Sequence, residues 1–170
     1  MSESRDGPPR RLAILTISDA GSRGERSDAS GDAISEIMAG LGYLETDRDI
    51  VPDEPDLISD RLTAWCDGEG IDVVLTTGGT GLGPRDVTPE ATRSVIDYEV
   101  PGIPEAIRVR TAGRTRMAVL SRAVAGMRRG CLVINLPGSP RGVREALEVV
   151  APVIGHAVDI ARGRSGHPHH

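Results

Sequence analysis

The residues able to do chemistry gather in a few glycine-rich stretches. The densest is Thr76-Thr77-Gly78-Gly79-Thr80-Gly81, followed three residues later by Arg85-Asp86-Val87-Thr88-Pro89. Glycines let successive backbone N–H groups converge on one anion, and the Thr76, Thr77 and Thr80 hydroxyls add donors. The stretch reads as a phosphate cradle that re-enters a helix. It is not a Walker loop, because the chain has no Lys and G-x-x-x-x-G-K needs one. Nor is it a G-x-G-x-x-G fingerprint, since Gly79 and Gly81 are followed by Gly83 and then Pro84. Taken alone, Gly78-Gly79 is a tight turn. Arg85 and Asp86 change that reading by placing a guanidinium and a carboxylate between the loop and the helix start. A carboxylate beside phosphates needs a cation between them, ordinarily Mg2+. Asp86 is therefore the first metal or catalytic candidate, with a salt bridge or helix cap as its plain alternative.

Two further stretches share this composition: Ile17-Ser18-Asp19-Ala20-Gly21, and Asn135-Leu136-Pro137-Gly138-Ser139-Pro140. Asp53, in Val51-Pro52-Asp53-Glu54-Pro55, falls before an expected helix and by itself is an N-cap aspartate. Ser121-Arg122 offers a hydroxyl and a guanidinium suited to a second phosphate, or else a solvated basic turn. Arg108, Arg110, Arg114 and Arg116 read as a solvated helix face, with a wall for an acidic ligand as the alternative. His156 reads as structural, since no second His or Cys stands at metal-ligand spacing.

The elements that must position these residues follow from periodicity. Leu12 to Ile17 is almost wholly apolar, as expected of a strand covered on both faces. Ala33, Ile34, Ile37, Met38 and Leu41 recur at helical spacing, with Gly42 at the end, predicting a helix over about Gly31 to Leu41. A weaker strand is expected near Glu45 to Val51, then a helix from Pro55 carrying Leu57, Ile58, Leu62 and Trp65. Asp72 to Thr76 is the next buried strand. Thr88 as N-cap with Pro89 at the first helical position starts a helix toward Tyr98, and Pro101 and Pro104 break and restart it. Cys131 to Asn135 is another strand. Val143 to Ala161 is helical, with Pro152 as a kink or junction. Alternating strands and helices predict an α/β fold with a parallel, doubly wound sheet and function at the carboxyl ends of its strands.

With 170 residues the chain has the length of one domain. Aromatic residues make up 2% and Phe is absent, so the core must be built from Val, Ile, Leu and Ala, which suits helices packed on a parallel sheet. A net charge of -5 argues against a nucleic-acid backbone or an anionic membrane as main partner. Cys66 and Cys131 match no metal spacing and read as reduced thiols. No apolar run is long enough to span a bilayer, and Met1 to Arg10 lacks the apolar stretch of a signal peptide, so a cytoplasmic location is expected. The expected organisation is a tail over 1–10, one domain over 11–163, and a His-rich tail over 164–170, native or from an affinity tag.

Thr76 to Gly81 with Arg85-Asp86-Val87-Thr88-Pro89-Glu90-Ala91-Thr92 resembles the molybdopterin adenylyltransferase family, the MogA/MoaB group related to the gephyrin G domain. Companion pieces occur in family order: Ser18-Asp19, Asp28-Ala29-Ser30-Gly31, Val51-Pro52-Asp53-Glu54, Pro101-Gly102, Glu105-Ala106, Leu120-Ser121-Arg122, Ala125-Gly126 and Asn135 to Pro140. The resemblance spans about Arg11 to Gly163. It implies a three-layer α/β sandwich with a mostly parallel central sheet, the molybdenum cofactor biosynthesis fold. It also implies a homo-oligomer, a trimer or a hexamer, that joins ATP to molybdopterin with Mg2+ and releases pyrophosphate. By motif, Asp53 and Asp86 match the two carboxylates for Mg2+ and catalysis, and Ser18 and Asp19 fall on the nucleotide side. Thr77, Gly78, Gly79, Thr80, Gly81 and Arg85 match the substrate-anion loop, Ser121 the pterin position, and Asn135, Pro137, Gly138 and Ser139 the loop facing it. The molybdenum-insertion protein is the partner implied. The rival readings are another enzyme on this fold, such as the insertion protein itself or the competence-damage nucleotide hydrolases, and a molybdopterin-binding scaffold without catalysis. Two departures, Leu82-Gly83-Pro84 before Arg85 and Tyr98-Glu99-Val100 before the Pro-Gly turn, fall on the nucleotide side.

Overall fold

Among the described residues a six-stranded sheet carries the chain. The structure, a computed structural model, describes residues 7–68 and 70–164. The expected tails lie mostly outside the described residues, and His167 to His170 wholly so. The strands are β1 (Arg11–Ile17), β2 (Leu44–Val51), β3 (Val73–Thr77), β4 (Tyr98–Glu99), β5 (Ala125–Arg128) and β6 (Cys131–Leu136). The helices are α1 (Asp19–Ser22), α2 (Ala29–Gly40), α3 (Pro55–Asp67), α4 (Thr88–Arg93), α5 (Gly102–Thr111) and α6 (Pro140–Ala161), with a 3-10 turn over Arg116–Leu120.

Alternation along the strands builds two cores, because successive side chains point to opposite faces. Leu12, Ile14, Val73, Leu75, Leu132 and Ile134 join Ile34 and Met38 of α2, Ile107 of α5, and Leu147, Val150 and Ile154 of α6 on one face. Ala13, Leu15, Val74, Cys131 and Val133 join Ile58, Leu62 and Trp65 of α3 and Ala91 of α4 on the other. Strands buried on both faces explain their continuous apolar runs. The result is the expected three-layer α/β sandwich.

β2, β1, β3 and β6 run parallel, whereas β5 is antiparallel to both β6 and β4. The sheet is thus mixed rather than wholly parallel. β4 and β5 escape a periodicity reading because they are only two and four residues long. The turn between β5 and β6 places Arg129 at φ 47° and Gly130 at φ 78°, the left-handed pair of a tight hairpin. The α4 helix stops at Arg93, short of the expected Tyr98. Its N-cap is Val87, with Thr88 already helical; the Thr88 hydroxyl is used elsewhere. The α6 helix starts earlier than expected, capped by the Ser139 hydroxyl, and runs through Pro152 as one element. Among the described residues no helix is long and apolar enough to cross a membrane.

Candidate active site

Four parallel strands end on one edge, and the loops they release there form two adjoining cavities. The smaller, about 260 Å3, is lined by Ser18, Asp28, Ser30, Asp53, Thr77, Gly78, Gly79, Asp86 and Gly138 among others. The larger, about 570 Å3, is lined by Thr80, Gly81, Leu82, Met117, Leu120, Ser121, Pro137, Gly138 and Ser139 among others, within the size range of small-molecule sites. Gly138 lines both. The two cavities therefore meet where the loop after β6 crosses the loop after β3.

That crossing depends on glycine. Gly78 has φ 101° and Gly79 φ 69°, the left-handed region that side chains disfavour. A Cβ on Gly78 would stand 2.3 Å from the Ile17 carbonyl oxygen, and one on Gly138 3.3 Å from Gly78 Cα. Side-chain hydroxyls then tie the loops together. Thr77 Oγ1 donates to the Pro137 carbonyl at 2.6 Å, Thr88 Oγ1 to the Gly78 carbonyl at 2.9 Å, and Ser30 Oγ to the Gly138 carbonyl at 2.8 Å.

Asp53 and Asp86 both face the smaller cavity, as the motif pattern anticipates. Asp53 is fixed by a reciprocal pair: the Asp19 N–H donates to Asp53 Oδ2 at 3.0 Å, and the Asp53 N–H donates to Asp19 Oδ1 at 3.0 Å. It is thus not a simple cap of α3, whose N-cap is Glu54. Burial raises the Asp53 carboxyl above the usual aspartate range, and the charges of Asp19 and Asp86 push the same way. Asp86 Oδ2 accepts the Gly83 N–H at 2.9 Å, folding the carboxylate into its own loop. The arrangement is a half-buried, electronegative spot with oxygen donors beside the Gly78-Gly79 turn. Hard oxygen donors suit Mg2+. Among the described residues no group of three or more His, Cys, Asp or Glu could hold a metal.

Several expected site residues sit elsewhere or do other work. Arg85 donates from Nε and Nη2 to the Asp19 carboxylate at 3.1 and 2.9 Å and from Nη2 to Glu54 at 2.9 Å. Its charge is thus committed, it lines neither cavity, and it holds Asp19 below the usual aspartate range. Asn135 is fully buried: its Oδ1 accepts the Val124 N–H at 3.1 Å and its Nδ2 donates to Thr76 and Thr92 hydroxyls at 3.0 Å each. It is a strut between β3, β6 and α4, not a ligand group. Thr76 is buried with it. Ser18 caps α1, accepting the Gly21 N–H at 3.0 Å, while still lining the smaller cavity. Ser139 likewise caps α6 and lines the larger cavity. Arg108, read as solvated, donates to the Ser121 and Ala123 carbonyls at 3.3 and 3.2 Å and shapes the Ser121 turn. Arg122 is spent on backbone carbonyls rather than held out for a phosphate. Asp28 and Ser30 drew no role from the sequence. Their signal was the capping pattern ahead of α2, where Asp28 accepts the Gly31 N–H at 3.1 Å and the Thr16 hydroxyl at 2.7 Å.

Fold and edge together define a class: three-layer α/β domains with a small-molecule site where the carboxyl ends of parallel strands converge. Comparison with known proteins narrows it. A family model described as "Probable molybdopterin binding domain" matches residues 13–156. The "Molybdopterin adenylyltransferase" of Helicobacter pylori (strain J99) is 44% identical over 154 residues, covering 89% of this chain and 88% of that protein. The protein of that name from Escherichia coli (strain K12) is 37% identical over 150 residues, covering 87% and 77%. The crystal structure of the molybdopterin biosynthesis enzyme MoaB from Thermus thermophilus superposes with a TM-score of 0.86 at 52% identity, covering 91% of this chain and 97% of that one. The chain belongs to the molybdopterin-binding domain family that contains the molybdopterin adenylyltransferases.

Proposed function

We propose that the chain adenylylates molybdopterin: a terminal phosphate oxygen of molybdopterin attacks the α-phosphorus of ATP, the bond to the β-phosphate oxygen breaks, and pyrophosphate leaves. The observation that supports this most directly is the meeting of two cavities at Gly138, one carrying the paired carboxylates Asp53 and Asp86, the other a larger, partly apolar space beside Ser121. Phosphoryl-group transfer asks little covalent chemistry of a protein and much positioning. The Gly78 to Gly81 backbone and the Thr80 hydroxyl bind and orient phosphate oxygens at the junction. Ser121 and Ser139 hold the pterin partner, with Leu82, Met117 and Leu120 covering its apolar faces. Asp53 and Asp86 would hold Mg2+, whose charge offsets the negative charge crowding the junction. The 44% identity to a protein named for this reaction supports the same reading.

The finer picture is a homo-oligomer, a trimer with the hexamer as alternative, acting in the cytoplasm and passing its product to the molybdenum-insertion protein. Exposed apolar side chains at Val109 and Val119, outside both cavities, are consistent with self-association. The net charge of -5 supports small-molecule rather than nucleic-acid partners. The decisive test is incubation of purified protein with molybdopterin, ATP and Mg2+. Stoichiometric adenylylated molybdopterin and pyrophosphate are expected. Binding of molybdopterin without consumption of ATP would overturn the enzyme reading in favour of a scaffold.

A further inference from the structure

We infer that Arg122 is a positioning residue for Asp86, the tie that fixes the Asp86 loop against the Ser121 segment. The loop from Gly81 to Asp86 is exposed along Leu82, Gly83, Pro84 and Arg85, and its own turn, Gly83 with Asp86, is local. Two arginines anchor it to the rest of the molecule. On the outer side Arg85 reaches Asp19 and Glu54. On the inner side Arg122 Nε donates to the Gly81 carbonyl at 2.8 Å and Nη2 to the Asp86 carbonyl at 2.7 Å. One guanidinium thus grips both ends of the loop. Its remaining Nη1 pairs with Glu90 in the first turn of α4, which fixes the fork and offsets its charge. The Arg122 N–H also donates to the Thr80 carbonyl at 2.9 Å.

The consequence is a fixed separation between the two cavities. Ser121, the neighbouring residue, lines the larger cavity, and Asp86 lines the smaller. A planar guanidinium matches this task because its donors diverge at fixed angles, which an ammonium group cannot copy. Arg122 touches neither cavity in this role; it acts through the Asp86 backbone. This inference rests on the adenylyl-transfer reading for its kinetic test, and on geometry alone for its structural one.

The experiment compares Arg122→Ala, Arg122→Lys and Glu90→Gln with the parent protein. Supporting-residue losses run about 10–100-fold in activity or metal affinity, and a loss of that order is expected in kcat for Arg122→Ala. A higher Mg2+ concentration at half-maximal rate should accompany it, with molybdopterin affinity, which Leu82 of the same loop also serves, falling by less. Arg122→Lys should recover only part of the loss, and Glu90→Gln, which leaves both carbonyl ties, should lose least. Amide hydrogen exchange at Leu82, Gly83 and Asp86 should quicken in Arg122→Ala while β3 and β6 stay protected. Unchanged exchange in the loop would overturn the inference, as would an equal loss of molybdopterin affinity with no change in Mg2+ dependence. If the parent protein makes no adenylylated product yet loop exchange quickens in the variant, the positioning role stands and the adenylyl-transfer reading fails.

Discussion

Replacing Asn135 by Ala separates the two roles this residue could have had, because the structure puts it in the core and the motif pattern puts it in the substrate loop. The side chain is fully buried and makes three hydrogen bonds, one from the Val124 N–H and two to the hydroxyls of Thr76 and Thr92. Its loss leaves the Val124 N–H without its side-chain acceptor, costing about 1–3 kcal/mol, and removes two neutral bonds worth about 0.5–1.5 kcal/mol each. The total is roughly 2–6 kcal/mol, a large share of the ~5–15 kcal/mol typical of a domain. For this chain length that lowers the melting temperature by about 2–4 °C per kcal/mol, hence by roughly 4–24 °C. Calorimetry and urea unfolding read the loss directly. Molybdopterin affinity, measured well below the melting transition, should stay at the parent value. An unchanged melting temperature with weakened molybdopterin binding would refute the structural assignment and return Asn135 to the site.

Three further substitutions test the carboxylates and the pterin side. Asp86→Asn should largely abolish Mg2+-dependent adenylylation while leaving molybdopterin binding nearly intact, as read by product formation and by equilibrium binding. Asp53→Asn should also remove activity, yet stabilise the metal-free protein at neutral pH. Burial raises the Asp53 carboxyl in the folded state, so the native form binds its proton more tightly than the unfolded chain, and ionisation destabilises the fold as pH rises through the carboxylate range. The stability gap between Asp53→Asn and the parent in urea unfolding should therefore widen on going from acid to neutral pH, and a gap that narrows would contradict the assignment. Ser121→Ala should weaken molybdopterin retention with an unchanged melting temperature; full retention would take Ser121 out of the site.

What the sequence made legible were features set by strong local physics. Continuous apolar runs marked β1, β3 and β6, since strands buried on both faces have no polar positions to break them. Proline and glycine marked the start of α3 at Pro55 and the end of α2 near Gly42. Hidden were elements whose reasons are tertiary. The β4–β5 pairing rests on two residue pairs, Tyr98 with Met127 and Glu99 with Gly126, too short to leave a period. Thr88 looked like a helix cap because a threonine ahead of proline usually is one, yet its hydroxyl crosses to the Gly78 carbonyl. Only the folded loop offers that acceptor.

The same distinction separates the expected site residues that face a cavity from those whose polar groups meet protein partners. Asp53 and Asp86 face one cavity because each ends a loop released from the same sheet edge, a consequence of strand direction alone. Arg85, Arg122 and Asn135 share that edge, but their polar groups meet protein partners first: Asp19 and Glu54, the Gly81 and Asp86 carbonyls, and the Val124 N–H. A glycine-rich loop able to cradle an anion has little side-chain packing to hold it in place. Something else must supply rigidity, and arginines and a buried amide do so here. Polar residues beside such a loop thus divide into those that face the ligand and those that hold the loop, and nearness in sequence does not separate the two. Burial and partner geometry do: spacing marks Asp86 beside the loop, whereas Asp53 by itself reads as a helix cap and its reciprocal pairing with Asp19 exists only in the fold.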